Sequence, residues 1–431
     1  MRSRAGRSAA DAAAALVAAG LLLGLAACGS GEGDGDTEAA SGAAGDVVRL
    51  ECPVVITTTG LEAFLDLTGE IQAENRIPPG RKGELASLPI YDLLLRSYDE
   101  PVPAELLDRL VLYATVGRTS SGGLRRLEGE KLPANTGMIA SMGYVVDNGP
   151  AVTAAVERLI AADLGCKVAE RARGFVPAAD IPDPLRIDFL AADAELRFFE
   201  DRFLVDAGLA AALDVDQLER ALASSLYRKY GAPVHANPVT VEGAAALHST
   251  WGAVVHGGVG SWIDEFETLY MDTDHPRLSR YTMPVPEEIM ARGVRQLGNV
   301  IAATADALAD TQQVADGQEG DRGLAAHKLL APSGGYSSVG FAMARLIERR
   351  LGEERLRSSA NSVAAFLTAY QEAALRNPDQ PTSTEGSYNW YLERMPAFPP
   401  DVFERLLEVV REQAALLPDP AGSDGARQLS G

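Results

Sequence analysis

The sequence predicts an α+β fold, predominantly α-helical, with few strands and those clustered. Two observations carry this. Apolar residues recur at helical spacing over most of the chain, as in Val152, Val156, Leu159, Ile160 and Leu164. Strict alternation of apolar and polar residues is confined to Leu185–Leu190 (LRIDFL), with two short β-prone runs behind it, Leu196–Phe199 and Arg202–Asp206.

From the N-terminus, Arg2, Arg4 and Arg7 precede an apolar stretch from Ala12 to Ala27 that is too short and too rich in Ala and Gly for a comfortable membrane span. It ends in Leu25-Ala26-Ala27-Cys28. This resembles the lipobox of bacterial lipoproteins. The resemblance implies a signal peptide over 1–27, cleavage before Cys28, and acyl chains such as palmitate on that cysteine. Several acyl chains hold a protein at a membrane firmly, at ~0.8 kcal/mol per buried CH₂. The expected location is the cell envelope, lipid-anchored and facing outside the cytoplasm. Residues 28–46 are acidic and rich in Gly, Ala and Ser, a flexible tether of roughly 20–25 Å. Residues 47–175 read as an N-terminal, mainly helical region. Residues 176–417 read as a second α+β region, and 418–431 as a disordered tail.

The chain carries 39 basic and 60 acidic residues, a net charge of -21. Loss of residues 1–27 would make it slightly more negative. Such a charge argues against nucleic acid as a partner and against flat contact with anionic lipid. The hydrophobic content of 46% is ample for a large core.

In the body, Val47–Ile56 reads as an opening strand. Leu85–Tyr98 and Pro103–Tyr113 read as amphipathic helices, and a further helix begins after Asp147-Asn148-Gly149 with Pro150 in its first turn. Beyond the strand cluster, helices are expected at Val215–Tyr230, Val239–Tyr270, Pro286–Ala309, Ser338–Leu351, Ser362–Arg376 and Pro400–Leu416. With Cys28 committed to lipid, Cys52 and Cys166 remain. They are either a disulfide, as an oxidising compartment favours, or two buried free thiols.

The second half of the body resembles a family of bacterial proteins described as zinc-dependent peptidases of the gluzincin kind. Two stretches carry the likeness. Gly340, Met343, Ala344, Ile347, Glu348 and Gly352, within GYSSVGFAMARLIERRLG (335–352), match that family's late helix, and Phe366–Tyr370 (FLTAY) follows. Gly257–Ile263 (GGVGSWI) is similar to the family's Glu-Gly-Ile-Ala-Ser-Tyr-Ile, whose Glu is the third zinc ligand. The resemblance implies a zincin-like helical body with a small β-sheet.

A gluzincin holds zinc with His-Glu-x-x-His, because helical spacing puts both imidazoles on one face beside a Glu that activates the metal-bound water. This chain has no such motif. Aligned on Leu218–Arg228 (LERALASSLYR), Ser224 and Arg228 fall on the two His positions and Ser225 on the catalytic Glu, while Gly257 falls on the third ligand. None of the four suits a metal, and a guanidinium repels one. The resemblance then implies a peptidase-like fold without catalytic residues and without a cofactor. Such a pseudoenzyme would serve a binding or scaffold role, with a peptide or protein partner in the cleft. Two other readings stand beside it. One is an active metal-dependent peptidase or hydrolase with a relocated zinc site. The other is a solute-binding lipoprotein, against which stands the lack of alternating βα units.

The histidines are His235, His248, His256, His275 and His327. His248 and His256 lie eight residues apart on one helix, about 80° and about 12 Å, too far to share one metal. A relocated site would need His235 or an acid such as Asp264 brought in by the fold. Gly257-Gly258-Val259-Gly260 lacks the strand and the Lys of a phosphate loop, so close helix packing accounts for it better. Ser224-Ser225 has no neighbouring base, and Gly-x-Ser-x-Gly is absent. Tyr388, Trp390 and Tyr391 near Phe398 are expected to close the C-terminal helix onto the core rather than to line a groove.

Overall fold

Four strands form one mixed sheet in the order β1-β2-β4-β3. They are β1 (Val54–Thr57), β2 (Leu185–Leu190), β3 (Leu196–Phe199) and β4 (Arg202–Asp206). The computed structural model describes residues 52–98, 102–116, 135–231, 233–265, 286–315, 325–330 and 335–417. The leader, Cys28, the tether, the tail and His275 lie outside these residues. All described residues belong to one compact unit, Glu51–Gly431.

The three later strands stand where the sequence pattern puts them. β1 pairs in parallel with β2, Val54 opposite Leu185, and β4 is also parallel to β2, while β3 is the antiparallel edge. β2 therefore lies between two strands and against a helix. Asp188, a polar position of the alternation, is buried instead of facing water. It accepts hydrogen bonds from Thr57 Oγ1 at 2.6 Å and from Arg202 at 3.4 Å, which offsets its desolvation.

Helix α1 (Thr59–Glu74) places Leu61, Phe64, Leu67 and Ile71 into the core. The helix expected over 85–98 is two, α2 (Glu84–Ser87) and α3 (Pro89–Arg96). Pro89 drives Leu88 into extended backbone (ψ 131) and breaks the run. Then come α4 (Ala104–Thr115), α5 (Asn135–Asp147) and α6 (Gly149–Ala161), the last with Pro150 in its first turn. Asp163 turns left-handed (φ 58), so Leu164 opens a new helix, α7 (Leu164–Ala172), instead of extending α6.

Asp206 ends β4 and caps α8 (Ala207–Ala212) by accepting from Leu209 N at 2.8 Å. It also accepts from Ala192 N and Ser141 Oγ, so one carboxyl ties β4, the exit of β2 and α5 together. Next, α9 (Val215–Leu226) opens with a reciprocal capping box between Asp214 and Gln217 and closes in a π turn, Tyr227–Gly231.

Helix α10 (Gly243–Ile263) is apolar on nearly all sides and lies at the centre of the helical layer. Around it are α11 (Pro286–Ala315), α12 (Ala325–Leu330), α13 (Gly335–Leu351), α14 (Glu353–Ser359), α15 (Val363–Ala374), α16 (Tyr388–Glu393) and α17 (Pro400–Leu416). It packs on α9, α11, α13, α15 and α17. Phe398 is buried against Trp251, Tyr370 and Phe403 and closes the C-terminal helix onto the core, while Tyr388, Trp390 and Tyr391 are only half-buried, Trp390 and Tyr391 edge-on to each other. Among the described residues, no helix is long and apolar enough to cross a membrane.

The closest approach in the helical layer is α10 on α13. A Cβ at Gly258 would collide with the backbone of Gly340, and one at Gly340 would collide with the carbonyl of Val254 and with Gly258. The backbones meet with no side chain between them. We expect Gly258→Ala or Gly340→Ala to cost at least about 1–3 kcal/mol, because the helices must separate. Gly298→Ala, at an exposed position of α11 with nothing near its Cβ, should stabilise by about 0.4–1 kcal/mol. Thermal melts of the three variants check this, and equal midpoints for all three would rule out the close crossing.

Candidate functional site: a seam of three helices

The two stretches GGVGSWI and GYSSVGFAMARLIERRLG pack on each other along their length. Position 257 faces Ser337, with a Cβ there 3.0 Å from its Oγ, and Gly258 meets Gly340. One turn on, Trp262 Nε1 donates to Glu348 at 2.9 Å, and Arg345 donates to the same carboxylate at 3.0 Å.

The opposite side of α10 receives α9. Here the structure brings Ser224 and Arg228 together. Ser224 Oγ is buried, 2.9 Å from Gly260 O and 3.2 Å from Asp264 Oδ2. Arg228 Nη2 donates to the same Asp264 oxygen at 3.1 Å. The guanidinium lies across Gly260, where a Cβ would stand 2.5 Å from Arg228 Nε. Asp264 is thus brought in by the fold, and its partners are a cation and a hydroxyl. Its side chain is 10% exposed and that of Arg228 44%, so the pair is half-sheltered. Glu265 continues the network, paired with Arg220 of α9 and reached by Arg345 of α13.

The other two aligned positions do not join this cluster. Ser225 Oγ donates back to Ala221 O at 3.0 Å within its own helix. Gly257 faces Ser337 of α13 and lies about 60° around the helix from Gly260, which Arg228 crosses. The α10 residues on that face are His256, Gly260 and Asp264.

The histidines form a second feature. The loop after the π turn carries His235 over Gly252, where any Cβ would collide with the imidazole. His235 and His256 have ring centroids 5.8 Å apart, and His256 also meets Tyr227 edge-on at 6.4 Å. His248, buried at 3% exposure, feels the charge of His235 from the other end of Gly252. His235, from a loop without periodicity, lies over Gly252, between the helix positions of His248 and His256. His327 lies apart, with its Nδ1 on the Tyr336 hydroxyl.

Burial lowers the pKa of all three clustered imidazoles. For His256, burial is joined by the positive charges of His235 and Arg228, and the value falls to about 4. A shallow groove of about 440 Å³ lies elsewhere, between α1 and α6, lined by Leu65, Thr68, Gln72, Pro150, Thr153 and Glu157.

Zinc does not fit the seam between α9 and α10. A catalytic zinc takes three His, Cys or carboxylate ligands. The side chains that meet here are Ser224, Arg228 already paired to Asp264, and His256, which is fewer than three ligands free for a metal. Among the described residues, no group of three or more His, Cys, Asp or Glu is placed to hold a metal ion.

Residues 244–379, from the start of α10 into the segment after α15, match a sequence family described as "Putative zinc dependent peptidase (DUF5700)". This part of the chain is peptidase-like. No curated protein and no solved structure matches the chain.

The cluster gives stability a pH dependence. The folded imidazoles resist protonation while the unfolded ones titrate near 6.5, so stability is retained above that value and lost as pH falls toward about 4. Asp206 acts in the opposite sense. Burial raises it from 3.8 to about 6, so its contribution is full below 3.8 and lost as pH rises through about 6. Burial raises Asp108 as well, and with three imidazoles against these two carboxyls we expect net stability to rise from pH 4 to 6.5. His256→Gln should remove up to about 3 kcal/mol of that dependence. Denaturant unfolding at several pH values measures it, and an unchanged slope in the variant would exclude His256 as its source.

Proposed function

We propose that this chain is a non-catalytic binding or scaffold protein on a peptidase-like body, held by lipid on Cys28 at a membrane of the cell envelope, outside the cytoplasm. The observation that carries the reading is the Arg228–Asp264 pair. It lies in the helix seam where Ser224 and Arg228, the two positions aligned with the histidine ligands, come together on one Asp264 oxygen. Here the replacement set is complementary in charge. The match over residues 244–379 supports the peptidase-like body, and the missing His-Glu-x-x-His supports the loss of chemistry. The acidic charge is consistent with a peptide or protein partner and against nucleic acid.

One observation favours a second reading, an active metal-dependent hydrolase with a relocated site. The 5.8 Å spacing of His235 and His256 is compatible with two imidazoles on one ion. The described residues provide no third ligand beside them. As for a solute-binding lipoprotein, the described residues hold one sheet, without two α/β lobes.

The test is to incubate the purified chain with a mixture of unstructured peptides and excess zinc. Mass spectrometry should recover every peptide intact, with some retained on the protein. Cleavage that a chelator abolishes, and that His256→Ala also abolishes, would overturn the proposal in favour of the second reading.

A further inference from the structure

Away from the helix seam, two nucleophilic side chains meet across the fold. Cys52 stands two residues before β1, a strand of four residues that, among the described residues, pairs with β2 alone. Cys166 lies in the first turn of α7. Strand and helix touch beside them, for a Cβ at Gly165 would collide with the Val54 side chain. That contact sets the cysteines side by side. Cys52 Sγ lies 4.0 Å from Cys166 O, and Cys166 Sγ lies 3.8 Å from Cys52 O. Both residues are partly buried, and the two are separated by 114 positions in the chain.

The surroundings differ on the two sides. Cys166 lies against the Asp163 carboxylate as well as against Cys52; burial and these neighbours push its thiol up to about 12. On the other side, Arg173 Nη2 points to Cys52 Sγ at 4.0 Å.

We propose that Cys52 and Cys166 close a disulfide that staples strand β1 to α7, with Cys52 attacking first. The oxidant is a disulfide, either a small-molecule one or that of a dithiol–disulfide exchange protein. The Cys52 thiolate attacks one of its sulfurs and expels the other as a thiolate, leaving a mixed disulfide on Cys52. Cys166 then loses its proton to Asp163 or solvent and attacks Cys52 Sγ, expelling the second oxidant sulfur. Two electrons and two protons pass from the cysteine pair to the oxidant, which leaves as two thiols. The bond closes a long loop, the case in which a cross-link most restricts the unfolded chain. This inference stands whether or not the helix seam is catalytic.

The experiment equilibrates the full chain with excess oxidised glutathione, alkylates the remaining thiols, and maps the digest by mass spectrometry. We expect one cross-linked peptide pair holding Cys52 and Cys166. Reduction should lower the thermal midpoint by several degrees in the unaltered chain and leave it unmoved in Cys52→Ser and in Cys166→Ser. Cys166→Ser should take up glutathione at Cys52 faster than Cys52→Ser does at Cys166. Alkylation of both thiols after oxidation, or a bond from either to Cys28, would overturn the disulfide. Faster uptake at Cys166 would overturn the order of attack.

Discussion

The contact on which the functional half of this protein depends is the meeting of α10 and α13 at Gly258 and Gly340. Two helices can approach this closely only where neither carries a side chain, and each glycine here lies against the backbone around the other. The crossing sets the rotation of α10. With Gly258 turned to α13, His256, Gly260 and Asp264 turn to α9, and Trp262 comes within reach of Glu348. The glycine run therefore has a packing role, and the residues around it fall into two faces with different chemistry.

On the α9 face the chemistry is that of a settled ion pair. Asp264 receives Arg228 and Ser224, and Gly260 leaves room for the guanidinium to cross the helix. A half-sheltered charge pair contributes only modestly to stability. Its significance is that one Asp264 oxygen already holds both a cation and a hydroxyl. Arg220, Glu265 and Arg345 extend the same charges toward α13, so the three helices share one network. The imidazoles sit just beyond it, kept neutral by burial and by neighbouring positive charge.

Much of this was legible in the sequence for definite reasons. The three strands from Leu185 to Asp206 follow from alternation, and their bounds match. The helix break at Asp163 is hidden in the sequence because the apolar spacing of α6 runs on through Leu164, while the left-handed turn leaves no mark on that pattern. Leu61, Phe64, Leu67 and Ile71 have the helical spacing of α1, but its start carries little local signal, since Thr58 makes no side-chain cap. The close helix packing was readable from the glycine run, but its partner Gly340 was not, since pairing across 82 positions has no local signature. The placement of His235 could not be read either. It lies in a loop between Pro233 and Pro238, and only the missing side chain at Gly252 admits it. Asp264 could be named as a candidate acid, yet its union with Arg228 needed the fold.

The central claim is that the seam between α9 and α10 is filled by Arg228, Ser224 and Asp264 and is no seat for zinc. Elemental analysis of the full chain, after incubation with excess zinc and removal of free metal by gel filtration, tests it most directly. The account predicts zinc well below one ion per chain. One tightly held zinc per chain would contradict it.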